Sequence, residues 1–111
     1  MTTELDTMTV IESSGNVFDD LALPATEQDM LKVAIAAAIT QTIQDRKLTQ
    51  VDAAKLMEVD QPKVSAITRG RLKGLSVDRL VRSLLLLGRD IDVRISHEYR
   101  EETGRLKVVN G

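Results

Sequence analysis

Thr49-Gln50-Val51-Asp52-Ala53-Ala54-Lys55-Leu56-Met57-Glu58-Val59-Asp60-Gln61-Pro62-Lys63-Val64-Ser65-Ala66-Ile67 is the stretch whose reading decides the fold. Thr49 and Asp60 each stand where a side-chain oxygen can accept the early backbone N–H groups of a helix. They predict one helix over Gln50–Met57 and a second over Gln61–Thr68, joined by a turn of three residues. Pro62 falls in the first turn of the second helix, where its missing N–H costs little. Ala54 is small enough to let the two helices cross closely, and Ala53, Met57, Val59, Val64 and Ile67 supply a shared apolar interior. Gln61, Pro62, Lys63, Ser65 and Ala66 are then left on the start and outer face of the second helix.

Two helices in this relation form a helix-turn-helix, and the second fits the major groove of duplex DNA with its N-terminal side chains at the base edges. The residue types suit that task. Gln61 can bond adenine bidentately, Lys63 can reach guanine or a phosphate, and Pro62 and Ala66 can touch a thymine methyl group. One position departs from the pattern: Glu58 stands where helix-turn-helix proteins usually place Gly, so a positive φ there costs on the order of 1 kcal/mol unless the turn is reshaped.

Working outward, Leu31, Ile35, Ile39 and Ile43 recur every fourth residue, with Ala34 and Ala38 beside them. They predict a long amphipathic helix capped by Thr26 and ending near Lys47. Downstream, Gly70 closes the second short helix and Arg69–Leu75 forms a basic loop. Ser76 caps a further helix striped by Val77, Leu80, Val81 and Leu84 and stopped at Gly88. After Gly88 the period changes to two: Ile91, Val93 and Ile95 alternate with Asp92, Arg94 and Ser96, the pattern of a half-buried strand. Leu106–Val109 reads as a second strand, joined through Glu98–Gly104 as a hairpin. Because an isolated ribbon is marginal, it should pack on a helix or pair with another subunit. The expected organisation is an acidic tail over 1–22, a helix-turn-helix domain over 23–88 and a β segment over 89–111 that makes a dimer. Within the tail, Val17-Phe18 and Leu21-Ala22-Leu23 are spaced to form a short turn docking on the body.

The formal net charge of −2 hides an asymmetry. Residues 1–29 carry seven acids and no base, and the remainder holds all 15 Lys and Arg against 10 acids. Lys63, Arg69, Arg71, Lys73, Arg79 and Arg82 accompany a single acid, Asp78, over Lys63–Arg82. A polyanion is the partner such a patch implies. Phosphate contacts fall to Arg69, Arg71 and Lys73 in the loop and to the helix starts. Arg79 and Arg82 serve equally well as an outer face or as salt-bridge partners. With no Cys and one His, the chain has no thiol chemistry and no multi-histidine metal site. No nucleophile–base pair suggests an enzyme, and no cofactor is expected. The composition reads as cytoplasmic, without a membrane span or a secretory signal.

Leu48-Thr49-Gln50, Ala53-Ala54-Lys55-Leu56, Val59-Asp60-Gln61-Pro62-Lys63-Val64-Ser65 and Arg69-Gly70 together resemble the Xre/Cro-type helix-turn-helix family. Asn16–Leu21, Gly70–Ser76 and Leu87-Gly88 extend that resemblance to the compact bacterial regulators similar to HigA-type antitoxins. It implies a mainly α, lambda-repressor-like domain of five helices that dimerises, binds a palindromic operator in double-stranded DNA and represses, often together with a RelE-like toxin. The family's recognition-helix residues match Gln61, Pro62 and Lys63, with Ser65 and Ala66 beside them, and its phosphate-contacting helix start matches Thr49 and Gln50. The alternative is an antitoxin whose main role is to neutralise such a toxin, its acidic N-terminal segment folding against a basic partner.

Overall fold

Leu31, Ile35, Ile39 and Ile43 do line the inner face of a long helix. In the computed structural model, which describes residues 25–109, this helix is α1, Ala25–Asp45. Three shorter helices follow: α2, Gln50–Met57; α3, Gln61–Thr68; and α4, Val77–Leu86. α3 packs against α1 and α2, and α4 packs against the same two helices. The largest fully buried side chains come from every helix: Ile39, Met57, Val64, Val77 and Leu80, with Leu87 just past the end of α4. Ala53 and Ala54 are buried where α2 meets its neighbours, so their small size sets how closely the helices approach.

The polar framework is local. Thr49 Oγ1 accepts the Asp52 N–H at 3.0 Å, Asp60 Oδ1 accepts that of Lys63 at 3.0 Å, and Ser76 Oγ accepts that of Arg79 at 3.1 Å. Each cap is worth about 1 kcal/mol. α1 begins at Ala25, one residue before Thr26, so Thr26 lies inside the first turn and does not cap it. At their C-terminal ends the helices share one device, a left-handed residue with paired backbone bonds. For α2 the Val59 N–H reaches Ala54 O at 3.1 Å and the Glu58 N–H reaches Lys55 O at 3.3 Å. The left-handed residue is Lys47 after α1, Glu58 after α2, Gly70 after α3 and Gly88 after α4.

Glu58 holds φ 60°, so the turn keeps its glycine-like shape and the glutamate bears a cost of about 1 kcal/mol. Its carboxylate meets Arg82 of α4, Nη2 to Oε1 at 3.0 Å, but both side chains are well exposed. Such a pair contributes about 0–1 kcal/mol, so the fold gains little from a glutamate there. α1 and the end of α4 are tied more firmly. Arg46 Nη1 donates to Leu87 O at 2.9 Å, and Arg89 Nη1 donates to the buried Thr42 Oγ1 at 3.0 Å while that hydroxyl donates to Ala38 O at 2.7 Å.

The expected C-terminal strand and hairpin are absent from the described residues. Ile91–Ser96 and Leu106–Val109 run without a ladder, and no regular element follows Leu86. Ile91 rests on the core, but Val93 is 40% and Ile95 72% exposed, so among the described residues the alternation has no surface to face. A strand exists only through a neighbour's hydrogen bonds, and among the described residues no such neighbour adjoins the segment. The segment instead returns towards the start of α1, where the Leu106 N–H donates to Glu27 Oε2 at 3.3 Å. Four of the five implied helices are thus seen. The acidic tail with its Val17–Leu23 turn lies outside the described residues.

Candidate nucleic-acid interface

Burying Val64 and Ile67 fixes which side of α3 is left outside. Gln61 and Pro62, at the first two positions, are exposed, while Lys63, Ser65 and Ala66 are half-buried. The flanks of α3 are therefore more shaded than its pattern suggests, because an eight-residue helix packed on two neighbours has only its leading end clear. That leading end is held by Asp60, whose extended backbone (φ −82°, ψ 164°) turns the chain into the helix and whose carboxylate takes the Lys63 N–H. Thr49 and Gln50 are exposed at the start of α2, where the first N–H groups of any helix lack intrahelical acceptors.

The basic loop after α3 is pinned at intervals. Leu72 packs against the core and Leu75 is buried, while Arg69, Arg71 and Lys73 between and before them are exposed. Arg71 N–H donates to Ala66 O at 2.8 Å and Leu75 N–H to Leu72 O at 3.0 Å, so the bases ride on a loop of defined shape. Gly70 and Gly74 supply its two positive φ angles, 76° and 83°. The ion pairs among the described residues, Arg82–Glu58 and Arg100–Glu102, involve none of Lys63, Arg69, Arg71, Lys73 and Arg79.

Two clefts flank α3, and they differ in charge. One, of about 690 Å³, is lined by Glu58, Asp60, Lys63, Arg79 and Arg82 over a floor that includes Met57, Ile67 and Leu80. The other, of about 320 Å³, lies between α1 and the end of α3, and its lining, from Val33 and Ala37 to Thr68 and Leu72, carries no charged residue. Lys63 thus shares a cleft with Arg79 and Arg82, whereas Thr49, Gln50, Arg69, Arg71 and Lys73 lie outside it. The Glu58–Arg82 contact across that cleft was not assigned from sequence. Residues 24 apart show no periodic relation, and the one available signal was an acid at the left-handed turn position. No described helix is long and apolar enough to cross a membrane.

Comparison with known proteins agrees with this geometry. A helix-turn-helix domain family matches residues 17–96, which takes in all four helices. A solved structure described as "Putative XRE Family Transcriptional Regulator" superposes with a TM-score of 0.71 at 34% sequence identity, covering 79% of this chain and 100% of that one. No curated protein sequence matches. With its capped α2 and α3, its three-residue turn and its exposed leading end, the chain belongs to the helix-turn-helix domain family and is an Xre-type, DNA-binding transcriptional regulator.

Proposed function

We propose that the protein is a repressor that binds a palindromic operator as a homodimer, reading bases with the leading end of α3 and gripping phosphates on either side of it. The observation that carries this reading is the exposure of Gln61 and Pro62 beside Lys63 on a helix whose opposite face is fully buried. Gln61 reads adenine, Lys63 reads guanine or a phosphate, and Pro62, Ser65 and Ala66 shape the contact with neighbouring bases. Thr49 and Gln50 bind one phosphate run through the start of α2. Arg69, Arg71 and Lys73 bind another from the pinned loop. Residues 89–111 supply the dimer contact: the Ile91–Ser96 alternation gains its missing ladder from the same segment of a second copy, which covers Val93 and Ile95.

Selection from a pool of random duplexes tests the whole reading. The expected product is a palindrome whose half-site centres lie about 34 Å apart, or a multiple of that. Lys63→Ala should relax the choice of base at one position of each half-site, while Arg71→Ala should weaken all sequences alike and lower the slope of log affinity against log salt by about 0.9. A pool that returns no enriched sequence overturns the proposal. If the chain instead retains a small basic protein on purification and selects no duplex, its main role is that of an antitoxin.

A further inference from the structure

Glu58 is an acid placed inside a basic face, and its position is specific. It occupies the left-handed turn residue between α2 and α3 (φ 60°, ψ 40°), and its Oε1 lies 3.0 Å from Arg82 Nη2 on α4. Arg82 lines the same cleft as Lys63 and Arg79, next to the leading end of the recognition helix. Asp60, the other acid of that cleft, is already engaged as the cap of α3. Glu58 therefore bears a backbone strain that its exposed ion pair offsets only in part, so stability is a poor reason for a carboxylate here. Its plainest consequence is electrostatic: it withdraws one cation from those available to phosphate.

We propose that Glu58 limits the strength and salt dependence of DNA binding by holding Arg82 neutralised at the rim of the cleft. The inference rests on the reading of α3 as the DNA-contacting helix. Non-specific binding depends almost wholly on the number of cations that meet phosphates, whereas operator binding adds base contacts that Glu58 does not touch. Taking Arg82 out of the count lowers affinity for both by the same factor and leaves the ratio between them to the base contacts. The carboxylate thus acts as a positioning residue for Arg82 and makes no contact with a base.

The test is a double-mutant cycle on the full chain, with the enriched operator and a scrambled duplex of equal length as probes. Glu58→Gln keeps the side chain's length and the strained turn but removes the charge. It should raise affinity for the scrambled duplex and steepen its salt slope by about 0.9, equivalent to a further loss of about threefold between 50 and 200 mM salt. Affinity for the operator should rise by the same factor, so the ratio of operator to scrambled affinity should hold. Arg82→Gln alone should leave the scrambled duplex nearly unaffected, and combined with Glu58→Gln it should abolish the gain. A gain that survives in the double variant overturns the inference, because the acid would then act on the whole field and not through Arg82. A drop in slope for Arg82→Gln alone overturns it as well, since Arg82 would already be on a phosphate. These outcomes leave operator recognition standing; a wild-type chain that binds neither duplex removes the DNA reading and this inference with it.

Discussion

The α1–α4 body and the segment after Gly88 carry apolar residues in equally regular patterns, yet only the first pattern is buried. Ile39, spaced four residues from Ile35 and Ile43, has no exposed surface, whereas Ile95, spaced two residues from Val93, is 72% exposed. The difference lies in what stands opposite. α1 faces α3 and α4, elements brought to it by short connections within the same chain. The alternation at Ile91–Ser96 needs a backbone edge, and among the described residues none adjoins it. Periodicity states which face of an element is apolar; the topology has to provide the surface that covers it.

The largest effect that can break this comparison comes from truncating one residue of each pattern. Ile39→Ala should cost about 2–5 kcal/mol of stability, because its cavity is enclosed on every side. Ile95→Ala should leave the unfolding of a dilute sample within about 0.5 kcal/mol of the parent, as expected at an exposed site. Chemical denaturation at low protein concentration measures both. An Ile95 variant as damaged as the Ile39 variant would mean that the segment is already packed in the single chain. If instead the cost of Ile95→Ala grows with protein concentration, the covering surface is a second copy.

The same contrast explains what could be read from the residues alone. Caps are written locally, so Thr49, Asp60 and Ser76 gave three helix starts to the residue, and the stripes on α1 and α4 named Ile35, Ile39, Val77, Leu80, Val81 and Leu84 as buried. Thr26 misled because a capping residue is equally at home in a first turn when the helix begins earlier. The basic loop was legible from its charges, but not the anchoring of Leu72 and Leu75 that gives it shape. Glu58–Arg82, Arg46–Leu87 and Arg89–Thr42 join distant parts of the chain, and no local rule connects them. For the strand, local propensity was present and the partner was not.

Smaller effects sharpen the contrast with hydrogen bonds of one kind in two settings. Asp60 Oδ1 accepts the Lys63 N–H in the body, and Ser96 Oγ accepts the Glu98 N–H at 3.1 Å in the segment. Asp60→Ala should cost about 1 kcal/mol, since α3 must be held for Val64 and Ile67 to stay buried. Ser96→Ala should cost almost nothing in the single chain, where no packed element among the described residues depends on that turn. Thermal melts of the two variants side by side provide the check. A body that is over-determined can also carry strain, and Lys47→Gly should show it. Relieving the positive φ of 56° at the end of α1 should stabilise by about 0.5 kcal/mol, the release of left-handed strain being partly cancelled by the freer unfolded chain. A melt that falls instead would show that the Lys47 side chain contributes more than its backbone costs.

The smallest expected effect concerns the tie between the two regions, the Leu106 N–H donated to Glu27 Oε2 at 3.3 Å. Glu27 does two things at once, because it also stands in the first turn of α1, where an acid favours the positive end of the helix by about 0.3–1 kcal/mol. A single substitution confuses the two roles, so a pair is needed. Glu27→Gln loses the charge but keeps an oxygen able to accept the N–H, whereas Glu27→Ala loses both. If the tie holds the segment against α1, the Leu106 amide should exchange with solvent faster in the Ala variant than in the Gln variant, while the two melt within a few tenths of a kcal/mol of each other. Equal exchange in both variants would show that the bond is too weak to order the segment. The covering of its apolar residues would then depend wholly on a partner and not at all on α1.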